Sequence, residues 1–178
     1  MKKYRLPLEL AYLPMLESSF NPKAKSRTGA LGMWQFTEAT AKDYGLKVGW
    51  FSDDRLNWRK STRAAVLYLS RLGKKFNYNW ELALAAYNGG PGYIERSMKR
   101  QRTWSFWKLK LREEPKEYVP KFIAMLHVAR QRHARLYQLR ANRFKAPSEQ
   151  TIATQSIVPD VEAESLVLHP MELLAENP

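Results

Sequence analysis

Apolar positions recur at helical spacing along most of this chain, and polar or glycine-rich breaks cut the pattern into short segments. Leu8, Ala11, Tyr12, Met15 and Leu16 share a face and predict a helix over 6–18, opened beside Pro7, kinked at Pro14 and ending near Glu17. Asn21-Pro22 breaks it. Gly29 and Gly32 in an otherwise partly apolar stretch make 22–36 a loop with short strand-like pieces. Thr37 caps a short helix that Gly45 stops, and 46–58 is irregular around a turn at Asp53-Asp54. A longer helix over 61–76 presents Ala64, Ala65, Leu67, Tyr68, Leu69 and Leu72 as its buried face. Trp80 to Tyr87 forms the next, capped by Asn88-Gly89-Gly90, and Pro91 opens another through Met98. A last strong helix runs over 116–139, with Tyr118, Phe122, Met125, Leu126 and Ala129 on one side. The fold class is therefore mainly α. Beyond it only 170–175 carries a weak helical signal.

Composition narrows this to one packed body with an appendage. A chain of 178 residues that is 44% hydrophobic can bury a core of its own. It has no cysteine, which excludes disulfides and thiolate metal sites. No run of about 18 apolar residues occurs, so no spanning helix is expected, and Met1-Lys2-Lys3 lacks the apolar stretch of an export signal. All 30 Lys and Arg residues lie in 1–145 beside 11 of the 17 acids, a net +19, whereas 146–178 holds 6 acids and no base. We divide the chain into a packed domain at 1–140 and an acidic tail or linker at 141–178. The basic body points to an anionic polymer as partner, and charge does not say which.

Glu17 is the candidate acid. A carboxyl at the C-terminal end of a helix faces the negative end of the macrodipole, and Met15, Leu16 and Phe20 would desolvate it. Both effects raise its pKa and keep it protonated near neutrality, as a general acid requires. Asp53 and Asp54, the obvious second carboxylates, read as turn formers. Trp58, Trp80, Trp104 and Trp107 are assigned to the interior by their size. His127, His133 and His169 have no metal-ligand spacing, so no metal is expected.

Four stretches stand in a fixed order: Glu17-Ser18-Ser19-Phe20, Gly29-Ala30-Leu31-Gly32-Met33-Trp34-Gln35, Ala86-Tyr87-Asn88-Gly89-Gly90 and Glu114-Pro115-Lys116-Glu117-Tyr118-Val119-Pro120. Over residues 5–135 the chain resembles the family 1 lytic transglycosylases, the SLT or goose-lysozyme-like group. Trp34 and Pro115 depart from that family's usual residues. The resemblance implies a lysozyme-like helical domain with a β-like segment around 22–36. It implies cleavage of the β-1,4 bond between N-acetylmuramic acid and N-acetylglucosamine without water, leaving 1,6-anhydro-N-acetylmuramic acid. Glu17 would act as acid and then base, with Ser18, Gln35, Tyr87, Asn88 and Tyr118 lining the site. Separately from the resemblance, a pyranose ring presents C–H bonds to an aromatic face, which makes Trp34, Phe36 and Tyr93 candidate sugar-stacking walls. The resemblance further implies no cofactor, peptidoglycan strands as partner, and a monomer in a bacterial periplasm or envelope, with any membrane association through a segment outside this chain. Two other readings stay open: a goose-type hydrolytic lysozyme, and a basic helical nucleic-acid-binding module motivated by the +19 body.

Overall fold

A computed structural model of the chain describes Tyr4 and residues 6–143, with side-chain surroundings up to Arg132. The chain divides into two units, Met1–Leu126 and His127–Pro178, and the first holds the buried core of the described residues. The tail from 146, the helical signal at 170–175, and the His133 and His169 side chains lie outside the described residues. The boundary drawn after residue 140 falls within a helix that runs to Arg143.

Among the described residues the body is helical, with isolated β-bridges and no sheet. A 3-10 turn, Leu8–Tyr12, leads into α1 (Leu13–Ser18). The expected single helix is thus split. Because a 3-10 turn repeats every three residues, Leu10 and Leu13 align and are buried, while Leu8 and Met15, expected on the buried face, are exposed. Thr37 caps α2 (Glu38–Asp43), its hydroxyl accepting from Thr40 N–H at 3.3 Å. Asn57 caps α3 (Trp58–Lys75), which therefore starts earlier than periodicity indicates. Along α3 the residues Ala64, Ala65, Tyr68, Leu69 and Leu72 are buried as expected, but Leu67 is exposed, a quarter-turn off that stripe.

Helices α4 (Trp80–Gly89) and α5 (Pro91–Gln101) meet at Gly90, whose φ of 88° both closes one and opens the other. Gly73 lets α4 approach α3, since a Cβ there would stand 2.8 Å from the Trp80 ring. Helix α6 (Glu113–Arg143) carries Pro115 in its first turn, where a missing N–H costs nothing, and Pro120 inside, where one intrahelical bond is lost. Leu69, Leu72, Leu82, Ile94 and Val119 form the centre shared by these helices, each worth roughly 1.5–3 kcal/mol on burial. Trp58 and Trp80 pack partly against that centre. Trp104 and Trp107 do not; they are 69% and 61% exposed, which corrects their assignment to the interior. They flank Phe106, which with Leu109 takes the core positions of that stretch and leaves the two indoles on the outside.

The 22–36 loop is folded on itself through bridges pairing Lys25 with Leu31 and Leu31 with Phe36. Arg55 locks it from behind. This guanidinium, 8% exposed as a residue, donates to the Gly29 and Phe36 carbonyls at 3.2 Å each and to Asp53 at 2.7 Å. Gly32 must be glycine because a Cβ would sit 1.9 Å from the Arg55 carbonyl oxygen, and its φ is 82°. Asp53 is therefore more than the turn former expected from sequence: it neutralises the buried cation that holds the loop.

Candidate active site

Glu17 is the penultimate residue of α1, and the chain reverses immediately after it. Ser19 and Phe20 adopt left-handed φ values of 53° and 60°, with Ser19 N–H donating to Met15 and Phe20 N–H to Pro14, both at 3.1 Å. A non-glycine residue in that conformation costs about 1 kcal/mol or more, so two in succession mark a tightly imposed corner. Ser18 Oγ lies 2.8 Å from the Met33 carbonyl and 3.2 Å from that of Pro14, tying the corner to the loop. This hydroxyl supports the site from behind and does not line the cleft.

The Glu17 carboxyl opens into a cleft of about 190 Å³ bordered by Gln35, Phe36, Tyr68, Tyr87, Asn88 and Glu114. Burial pushes its pKa from 4.5 to about 7; the Tyr118 hydroxyl bond works against that rise, and the nearby Glu114 carboxylate adds to it. No cation pairs with it among the described residues. Desolvation is thus the leading cause; of the apolar neighbours expected to supply it, Leu16 and Phe20 are partly buried against the core, while Met15 is exposed. Tyr118 donates to Glu17 Oε1, which leaves Oε2 without a protein hydrogen bond among the described residues. Burial holds the Tyr118 hydroxyl far above its ordinary pKa, so it remains a donor.

Tyr87 donates to the Trp34 carbonyl at 2.8 Å, and its ring lies 5.2 Å from that of Tyr68. Gln35, at φ 50°, gives its amide N–H to Gly32 O at 2.8 Å, so its amide oxygen is free to face the cleft. Asn88 donates to Glu114 Oε1 at 3.2 Å, while its own Oδ1 is buried without a partner. An orphaned acceptor of this kind is costly unless a ligand supplies a donor.

The structure therefore gathers Glu17, Gln35, Tyr87 and Asn88 around one cleft, with Phe36 in its wall, while Tyr118 does not line it and holds Glu17 by a hydrogen bond. It corrects two expected sugar-stacking faces. Trp34 is fully buried with its indole N–H on Thr62 at 2.9 Å, because the glycines beside it turn the loop's apolar end inward. Tyr93 has the Arg112 guanidinium 4.1 Å over its ring and its hydroxyl accepting from Arg112 N–H. Sequence reasoning missed the roles of Tyr68, Glu114 and the hydroxyl-bearing rim of Ser26, Thr28, Thr37 and Thr40. Glu114 stands inside the fourth motif, and only the meeting of α6 with α4 reveals what it touches. Asp53 and Asp54 are elsewhere: Asp53 lies on Arg55 and Asp54 on Lys60 at 2.8 Å, both pKa values lowered, first by those bonds. Among the described residues no three His, Asp or Glu side chains gather into a metal site.

Comparisons with known proteins agree with this geometry. The Transglycosylase SLT domain family matches residues 1–110. Membrane-bound lytic murein transglycosylase D of Escherichia coli K12 is 41% identical over 129 residues, 70% of this chain and 28% of that protein. Peptidoglycan transglycosylase gp16 of phage T7 is 51% identical over 79 residues, 44% of this chain and 6% of its own. Among solved structures, an inactive mutant of lytic transglycosylase Slt from Pseudomonas aeruginosa superposes with a TM-score of 0.55 at 26% identity, covering 66% of this chain and 20% of that one. The 70 kDa soluble lytic transglycosylase of Escherichia coli gives 0.53 at 25% identity, covering 69% and 22%. This chain spans a quarter or so of the larger relatives' length, and with more than half of it matched by the family it belongs to the SLT-domain transglycosylases.

Proposed function

We propose that this chain cleaves the β-1,4 bond between N-acetylmuramic acid and N-acetylglucosamine in the peptidoglycan of a bacterial cell envelope, without consuming water. The observation that carries the reading is Glu17, a carboxyl buried in a cleft with no cation beside it and a pKa of about 7. In the first step Oε2 gives its proton to the glycosidic oxygen, the C1–O bond of the muramyl residue breaks, and the N-acetylglucosamine end leaves as an alcohol. The substrate's own acetamide oxygen supports the positive charge at C1. In the second step Glu17, now a carboxylate steadied by Tyr118, takes the proton of the muramyl 6-hydroxyl as that oxygen bonds to C1. The product is the 1,6-anhydro sugar, and Glu17 is protonated again. The orphaned Asn88 Oδ1 suits the N–H of an acetamide, and the free Gln35 amide oxygen suits a sugar hydroxyl.

Intramolecular attack is favoured because a well-held internal nucleophile reaches effective molarities of about 10⁵ M or more. Glu114 supports the rival, hydrolytic reading, since it is a second carboxylate bordering the cleft, where a hydrolase would keep its water-activating base. Its Oε1 accepts from Asn88, which gives it a holding role in our reading. Mass spectrometry of digested peptidoglycan separates the two. We expect anhydro-terminated fragments, lighter by one water than reducing-end fragments; a digest dominated by reducing ends would assign Glu114 as the base of a hydrolase.

A further inference from the structure

A second cavity, about 380 Å³ against about 190 Å³ for the catalytic cleft, opens beside the C-terminal end of α3, the start of α4 and the last turns of α5. Tyr68 and Tyr87 border the catalytic cleft where Lys75 and Leu82 border this one, so at 1.5 Å per residue roughly 8–10 Å separate the two along α3 and α4. Phe76, Leu82 and Met98 make its floor, and the exposed indole of Trp104 makes its outer wall. Trp104 is held there. Arg102 turns the chain out of α5 at φ 50°, Thr103 N–H bonds back to Met98 O at 3.2 Å, and Gln101 clamps the far side of the loop by two bonds to the Lys110 backbone at 2.8 and 3.0 Å. The rim is polar. Its acid, Glu95, is already paired with Lys75 at 2.7 Å, and Asn79 Oδ1 caps α4 by accepting from Leu82 N–H at 3.0 Å, which leaves Lys99, the Asn77 side chain and the Asn79 amide NH2 at the rim.

We propose that this cavity is a second, non-catalytic site for peptidoglycan, holding an N-acetylhexosamine against Trp104 with the carboxylates of its peptide stem toward Lys99. The proposal rests on the function proposed for the catalytic cleft. Large apolar concavities with a few convergent polar groups are the usual form of ligand sites. The pairing of an indole face with amides and one unpaired cation suits a ligand that offers sugar C–H faces, amide groups and carboxylates together. The concave shape disfavours a membrane surface, which an exposed tryptophan meets best on a protrusion. Such a site would keep the enzyme on its polymer between cleavages.

The test uses the full chain carrying Glu17→Gln, which binds without turnover, and the disaccharide tetrapeptide N-acetylglucosaminyl-N-acetylmuramyl-tetrapeptide as probe. Titration followed by ¹⁵N NMR should move the Trp104 indole N–H and the Asn77 and Asn79 amides on one curve, and the Gln35 and Asn88 amides on another. Trp104→Ala should abolish the first response and keep the second. Lys99→Glu, on an exposed side chain whose change leaves the fold intact, should weaken the first at least fivefold. Movement at Gln35 and Asn88 with Trp104 silent overturns this inference and leaves the proposed function standing. Silence at both ends removes the proposed function and this inference with it. A Trp104 response to phosphatidylglycerol vesicles and none to the probe also overturns it.

Discussion

Two groups of carboxylates, both close to the 22–36 loop, are put to opposite use. Asp53 meets Arg55 through a bidentate contact, which is the main cause of its lowered pKa, so it is ionised at every physiological pH and serves to hold backbone in place. Glu17 meets a tyrosine hydroxyl and no cation, burial dominates, and its pKa climbs to about 7. The side-chain chemistry is nearly identical; the partner decides the role. A cation beside a carboxylate makes a fastener, and burial without a cation makes an acid.

The sharpest way to break this comparison is Glu17→Gln. The amide keeps the shape and cannot donate the catalytic proton, so the rate of muropeptide release should fall by roughly 10²–10⁴ with an unchanged circular dichroism spectrum. The same variant tests the cost of burial. A folded pKa raised above the unfolded value means that the stability contributed by the protonated group is complete below pH 4.5 and lost as pH rises through about 7. Glu17→Gln should therefore be more stable than the wild type at pH 8, by about 3 kcal/mol, and nearly equal to it at pH 4, as read by chemical denaturation at both pH values. A variant that is less stable at pH 8 would show that Glu17 is not desolvated.

On the other side of the comparison, Asp53→Asn strips the buried Arg55 of its counter-charge and should cost about 2–3 kcal/mol, seen as a drop of several degrees in melting temperature. Asp54→Asn, on an exposed partner, should barely move it. Equal effects from the two would contradict the fastening role given to Arg55.

The smallest effects lie in tuning Glu17. Removing a negative charge by Glu114→Gln should move the basic limb of the pH–rate profile to lower pH, and Tyr118→Phe should move it to higher pH, because the first change removes a cause of the raised pKa and the second removes the bond opposing it. A shared direction would mean that one of these contacts is not made in solution.

Helix-forming segments were legible in sequence because their periodicity and caps are local: Thr37, Gly90 and Pro91 sit where the pattern placed them. So was Glu17, as the charged residue at a helix end among motifs of one family. The helix entry at 8–12 was not, because a 3-10 turn changes the period that the pattern assumes. Trp34 and Trp104 exchanged their expected places for a related reason: size favours burial for every tryptophan, and only the path of the neighbouring loop decides which one finds room. Arg55 and Glu114 act through contacts across 26 residues or so, to Gly29 and Asn88, and no local signal carries such a pairing.

The ionisation of Glu17 itself is the most direct test of this account. With glutamate ¹³C-labelled at Cδ and the Glu17 signal assigned by its loss in Glu17→Gln, the carboxyl should titrate with a midpoint of about 7, well separated from the other glutamates. A midpoint near 4.5 would mean that Glu17 is ionised at neutral pH like an ordinary surface carboxylate, and it could not then be the acid of this site.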